Sequence, residues 1–207
     1  LAKIEVLKKN IQSTDRIHFT WLGHSSCFFQ SGNAFLLTDP VFSERASPFQ
    51  FAGPHRIQSP LLDMKALAHV DVILLSHTHY DHLDYNTVIK IRDEVGAHVK
   101  WVVPLGVKKL LASWGIDNCV ELTWWEKHRI QDESRNIDLE IVFTPTKHWT
   151  ARGFFDRNKC LWGSYVVASP QGRVFFGGDT AYCSVFKQIG DLYGPFDLSA
   201  LSIGAYK

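Results

Sequence analysis

Ser76-His77-Thr78-His79-Tyr80-Asp81-His82 is the stretch that decides the reading of this chain. Three imidazoles and a carboxylate fall between His77 and His82, directly behind the apolar run 72–75. A continuous apolar run of that kind reads as a strand buried on both faces. His77 and His79, two apart on extended chain, project to the same side, and imidazole nitrogens so placed suit zinc. Asp81 and His82 stand where a helix is expected to begin, because Val88, Ile91 and Val95 recur at helical spacing. Side chains at adjacent positions point in different directions, so this pair can serve a second ion near the first. A helix N-terminus would also favour the anionic Asp81. An accidental polar turn would not gather four ligand-type side chains behind a buried strand.

Strand signals precede the motif at residues 17–22, 26–30 and 34–38, with Ser31-Gly32-Asn33 as a hairpin turn. Residues 40–62 are rich in Pro, Ser and Gly without a period, and a loop that long tends to be functional. Further strands are expected at 101–103, 139–143, 164–168, 174–176 and 197–203, and helices over 107–114 and near 184–189. Residues 126–136 are polar and loop-like, and 1–10 read as a short helix or arm. Strands outnumber helices but helices are interleaved in both halves, which favours a layered α/β arrangement with helices outside.

Two later residues look like partners of the motif. His148 follows a strand in Thr144-Pro145-Thr146-Lys147-His148-Trp149, and Asp179 follows another in Phe175-Phe176-Gly177-Gly178-Asp179-Thr180. Alone, His148 reads equally as an ordinary loop histidine, and Asp179 as a helix cap beside turn-forming glycines. Their place at strand ends, where ligand sites of layered α/β proteins gather, raises both.

Composition sets the bounds. At 207 residues the chain suits a single domain, 1–207, with a sizeable core. A net charge of +1 provides no basic field, so nucleic acid is not an expected partner. Aromatics reach 13%, which serves a large core or an apolar pocket or surface alike. Cys27, Cys119, Cys160 and Cys183 are scattered without paired spacing and read as free thiols of a reducing, intracellular compartment. No signal-peptide pattern opens the chain and no apolar run is long enough for a transmembrane helix, so any membrane contact would be peripheral.

The H-x-H-x-D-H segment with a later His and a later Gly-Asp resembles the metallo-β-lactamase superfamily. Within it the chain is similar to the N-acyl-phosphatidylethanolamine-hydrolysing phospholipase D family almost from end to end. The strings Thr20-Trp21-Leu22-Gly23-His24-Ser25, Leu37-Thr38-Asp39-Pro40-Val41-Phe42-Ser43, Trp124-Trp125-Glu126, Leu161-Trp162-Gly163-Ser164 and Gly194-Pro195-Phe196-Asp197-Leu198 carry that closer match.

The resemblance implies a four-layer α/β/β/α sandwich and two zinc ions. His77, His79 and His148 would hold one, Asp81 and His82 would help hold the other, and Asp179 would bridge them. Asp81 and Asp179 are thus the catalytic carboxylates. The implied activity is hydrolysis of the phospholipid N-acyl-phosphatidylethanolamine to N-acylethanolamine and phosphatidic acid, at a peripheral membrane location. Another ester, lactone or thioester hydrolysis on the same fold is the alternative.

Tyr80 would either donate its hydroxyl to a phosphate oxygen or simply pack. Gln50 and Phe51 match substrate-pocket positions, Phe51 standing where some relatives carry Tyr. Asp39 would orient a metal-bound histidine or merely start a turn before Pro40, and His24 reads as structural rather than as a ligand. Relatives continue past Gly204-Ala205-Tyr206 and supply one more metal-binding His, whereas none of the ten histidines here has that context. The fold is therefore expected to be C-terminally incomplete and its second site a ligand short. An uncovered apolar face near 198–203 would favour a partner, a homodimer included.

Overall fold

The computed structural model of the protein describes residues 15–57 and 67–204; the expected arm over 1–10 and part of the 40–62 loop lie outside them. The first sheet has the order β1-β2-β3-β4-β5-β6. Its strands are β1 (Ile17–Gly23), β2 (Ser26–Ser31), β3 (Ala34–Thr38), β4 (Val72–Leu74), β5 (Lys100–Pro104) and β6 (Cys119–Leu122). The hairpin half, β1 to β3, is antiparallel, and the half from β3 to β6 is parallel.

The second sheet has the order β11-β10-β9-β8-β7. Its strands are β7 (Lys127–Asp132), β8 (Ile137–Thr144), β9 (Ser164–Ser169), β10 (Gly172–Phe176) and β11 (Leu198–Ala200). All its pairings are antiparallel except that of β10 with β11.

Period-2 alternation assigns each strand residue to a layer. Leu36, Leu74 and Val102 face inward and meet Ile141, Phe143, Tyr165 and Val174 of the other sheet. Their neighbours Leu37, Ile73, Trp101 and Val103 turn to the opposite face. There they pack on helix α1 (Tyr85–Lys90), which runs on into a π-helical turn (Ile91–Val95), and on α2 (Lys108–Ser113). The outer face of the second sheet, through Val142, Val166 and Phe175, packs on Ile189 of α3 (Val185–Tyr193). Each such apolar side chain contributes about 1.5–3 kcal/mol by leaving water, so the inter-sheet layer holds the two sheets face to face. The architecture is the expected four-layer α/β/β/α sandwich.

Two expectations change. Residues 126–136 are not a loop: β7 and the 3-10 turn Glu133–Arg135 occupy most of them. β7 is an edge strand with one wet face. Lys127 pairs with Glu140 at 3.1 Å, and Arg129 holds Asp138 by two hydrogen bonds of 2.8 and 2.7 Å. The charges that blunt the edge also mask its period in sequence. The helix behind the histidine motif starts later than expected. Asp84 is its N-cap, accepting from Asn86 N at 3.3 Å, so Asp81 and His82 lie in the preceding turn and the helix-terminus argument belongs to Asp84.

Candidate metal centre

The site lies where strands of both sheets end. His77, His79, Asp81 and His82 follow β4, Asp39 follows β3, His148 follows β8 and Asp179 follows β10. The sheets approach closely here. Gly163 N donates to Ser76 O at 3.0 Å, and a side chain at Gly178 would strike Ser76 Cβ at 2.8 Å. With φ +57 as well, position 178 admits only glycine comfortably, and that lets Asp179 reach the histidines.

Three nitrogens converge first. His77 Nε2 lies 2.8 Å from His79 Nδ1, and His148 Nε2 lies 3.2 Å from each of them. Burial lowers the pKa of all three imidazoles, and for His77 the neighbouring imidazoles lower it further. They are neutral near pH 7, each with a lone pair available.

The second set is His82, Asp81 and Asp179. His82 is fully buried, and its Nδ1 donates to Asp39 Oδ2 at 2.7 Å. Its Nε2 is buried without a hydrogen-bond partner, facing Asp179 Oδ2 at 3.4 Å and Asp81 Oδ2 at 3.8 Å. Burial alone would lower its pKa, but the carboxylates of Asp39 and Asp179 outweigh that and push it up to about 10. Burial raises Asp39 from the usual carboxylate range. Burial would likewise raise Asp81 and Asp179. For Asp81 the hydrogen bond from His24 and the charge of His82, and for Asp179 the contact with His82, hold them below that range.

A divalent cation fits these donors. An orphaned buried imidazole nitrogen aimed at two carboxylates, beside three converging lone pairs, is what a two-ion ligand set requires. The groups His77–His79–His148 and His77–His82–Asp179 each bring their ligand atoms within 4.8 Å of one another. Asp81 is grouped in the same way with His24 and His82, so the six residues singled out from sequence are together. Asp39 acts as an orienting acceptor rather than only a turn former. Its Oδ1 accepts from Ser76 N at 2.7 Å and its Oδ2 from Ser76 Oγ at 2.5 Å, while Ser76 Oγ lies 2.9 Å from His77 Nδ1. The proton on His77 Nδ1 that leaves Nε2 free therefore has an acceptor.

The substrate-side candidates are placed differently. Tyr80 gives its hydroxyl proton to Arg152 O at 2.9 Å, and its ring lies under the Arg152 guanidinium at 4.1 Å. Gln50 turns its amide onto the Arg45 backbone at 3.2 Å, and Phe51 is exposed, stacked on Phe49. Among the described residues neither has a hydrogen-bond or ring partner in the histidine cluster.

Sequence reasoning missed Arg152. Its Nη1 donates to Thr78 O at 2.9 Å and Leu83 O at 2.6 Å, spanning the ligand loop, and Thr150 Oγ1 accepts from Thr78 N at 3.0 Å. The segment that carries His148 is thereby fastened to the segment that carries the other histidines. Carbonyl acceptors leave no mark in a sequence, so no signal pointed to Arg152.

Two sheets packed face to face between helices, with a His/Asp cluster at their shared edge, define a metallo-β-lactamase fold. The chain belongs to the beta-lactamase superfamily domain family, whose sequence profile matches residues 35–207. It is 42% identical over 211 residues to an uncharacterized protein of Mycobacterium tuberculosis, covering 99% of this chain and 54% of that protein. It is 37% identical over 204 residues to the N-acyl-phosphatidylethanolamine-hydrolyzing phospholipase D 1 of Caenorhabditis elegans, covering 96% of this chain and 56% of that protein. The chain spans about half the length of the curated relatives it matches. Among solved structures, the metallo hydrolase Igni18 of Ignicoccus hospitalis superposes with a TM-score of 0.65 at 16% identity, over 92% of this chain and 72% of that one. That likeness concerns the fold.

Proposed function

We propose that this chain carries the metal centre of a zinc-dependent phosphodiesterase of the phospholipase D type, which hydrolyses N-acyl-phosphatidylethanolamine to N-acylethanolamine and phosphatidic acid. The observation that carries a two-ion hydrolytic site is the position of Asp179. Its Oδ2 lies 3.4 Å from His82 Nε2 and 3.8 Å from His148 Nε2, between the two imidazole sets. The choice of substrate is supported by the likeness to the Caenorhabditis elegans phospholipase.

In this reading His77, His79 and His148 hold one ion, Asp81 and His82 hold the other, and Asp179 is shared. Imidazole and carboxylate donors suit zinc. When bound, such ions acidify water and neutralise charge on phosphoryl oxygens. A water oxygen adds to phosphorus, the P–O bond to the ethanolamine oxygen breaks, and a proton ends on that oxygen. The chain's own part is orientation: Asp39 fixes His82 directly and His77 through Ser76, and Arg152 fixes the loop between them. Peripheral membrane contact is supported by the exposed aromatics Phe49, Phe51, Phe154 and Phe155. No described helix is long and apolar enough to cross a membrane.

The test is hydrolysis by the zinc-loaded protein of N-acyl-phosphatidylethanolamine in vesicles, beside nitrocefin and a lactone. Release of N-acylethanolamine that is abolished by Asp179→Asn is the expected result. Turnover of the lactone or nitrocefin with none of the phospholipid would overturn the substrate assignment.

A further inference from the structure

The string Trp21-Leu22-Gly23-His24-Ser25, which brings His24 to Asp81, has an unusual backbone. It closes the hairpin between β1 and β2, where Gly23 pairs with Ser26 across a register shift. Gly23 has φ +120 and His24 has φ +50, a left-handed conformation that costs a non-glycine residue energy and persists where its surroundings enforce it. Trp21 enforces it in part, its Nε1 donating to His24 O at 2.7 Å.

The turn so bent touches Asp81 twice. His24 Nε2 lies 2.9 Å from Asp81 Oδ2, and Ser25 Oγ donates to the Asp81 carbonyl at 3.2 Å. The side chains of His24 and Asp81 are 57% and 40% exposed, so the contact adds little to folding stability. A strained turn that contributes so little stability has another use. The oxygen that His24 holds, Asp81 Oδ2, lies 3.8 Å from the orphaned His82 Nε2. The main chain of Asp81 lies in the turn in which His82 N and Leu83 N donate to His79 O. Its carboxylate is held by its own backbone and, from outside that turn, by His24, so this hairpin is what aims the carboxylate from beyond its own loop.

We propose that His24 is a positioning residue of the second metal site, donating from Nε2 to the Asp81 carboxylate and fixing which oxygen and which direction Asp81 offers to the ion. The inference rests on the two-ion reading of the site. Ser25, holding the Asp81 main chain, completes a two-point clamp whose shape is set by Gly23 and Trp21. His24 relates to Asp81 as Asp39 relates to His82, each holding one ligand of the same ion from a strand end with a positive φ.

Stepwise zinc and cobalt titration of the full chain tests this without any substrate. Wild type takes up a tight first ion and a weaker second one. In His24→Ala the second ion binds about 10–100-fold more weakly, as for other partners that orient a ligand, and the first is unchanged. His24→Gln, whose amide nitrogen reaches as far as Nε2 and donates likewise, restores affinity to within about threefold and leaves the cobalt spectrum unaltered. His24→Asn tolerates the left-handed backbone but falls short of Asp81, and it behaves as His24→Ala does even if the latter folds poorly. Uptake of one ion only by wild type overturns the two-ion reading and this role with it. An unchanged second ion in His24→Asn overturns the role alone. A His24→Gln protein as defective as His24→Asn, with a changed cobalt spectrum, also overturns it by making His24 a ligand.

Discussion

Asp39 stands at φ +36, fully buried, with its two oxygens divided among Ser76 N, Ser76 Oγ and His82 Nδ1. Held against it, the metal-free His82 keeps its proton up to about pH 10. An unfolded histidine releases it near pH 6.5. The sign follows. Stability from this proton is present below about 6.5 and is lost as pH rises through about 10, in the metal-free chain. An ion on His82 Nε2 must displace the proton, so the second ion should bind about tenfold more tightly per pH unit up to that point. The first ion meets imidazoles already neutral, and its affinity should be nearly flat above pH 7. Calorimetric titration in buffers of different ionisation enthalpy would count the protons, and equal pH slopes for the two ions would contradict this account. The six ligand-type residues were legible in sequence because only a few side chains bind such ions and their spacing after strands is restrictive. Asp39 was legible as a candidate, but its choice between turn and orientation needed the distance to His82.

Arg152 ties the segment that carries His148 to the loop that carries the other histidines. One guanidinium nitrogen holds Thr78 O and Leu83 O, its own carbonyl takes the Tyr80 hydroxyl, and its plane lies over the rings of Tyr80 and Trp114. It is a half-buried cation paired with carbonyls and ring faces, and its desolvation lowers its pKa. Arg152→Ala removes both charged hydrogen bonds, each worth about 1.5–3 kcal/mol, and loosens the loop on which His77 to His82 ride. The expected outcome is a loss of roughly 3 kcal/mol of stability together with weaker binding of both ions. Tyr80→Phe removes one neutral hydrogen bond, about 0.5–1.5 kcal/mol, and should leave most activity in place, whereas Asp179→Asn should abolish it. Denaturant unfolding and metal titration of the three variants would decide. Tyr80→Phe proving more damaging to activity than Asp179→Asn would remove the shared role of Asp179. Elements were legible in proportion to their burial: β3 and β4 have every residue buried and were plain in sequence. β7, with alternate residues exposed and polar, was not.

For the whole molecule, the ligands belong to both sheets: the histidine loop follows β4 in the first, while His148 and Asp179 follow β8 and β10 in the second. An ion in this site is therefore a cross-link between sheets. The sheets also have a contact of their own, since Tyr165 is fully buried between them and its hydroxyl lies 2.8 Å from Leu75 O and 3.0 Å from Val102 O. A ligand that binds only the folded chain stabilises it by about 2.7 kcal/mol when present at a hundred times its dissociation constant. For a domain of this size that is about 5–11 °C in Tm. Removing metal with a chelator should thus lower Tm by that order while far-UV circular dichroism keeps its folded shape, and Tm should climb again with the logarithm of added zinc. A Tm indifferent to chelator and zinc alike would mean that no ion binds tightly across the sheets. Collapse of the far-UV signal on chelation would mean instead that the inter-sheet core cannot hold the layers together unaided.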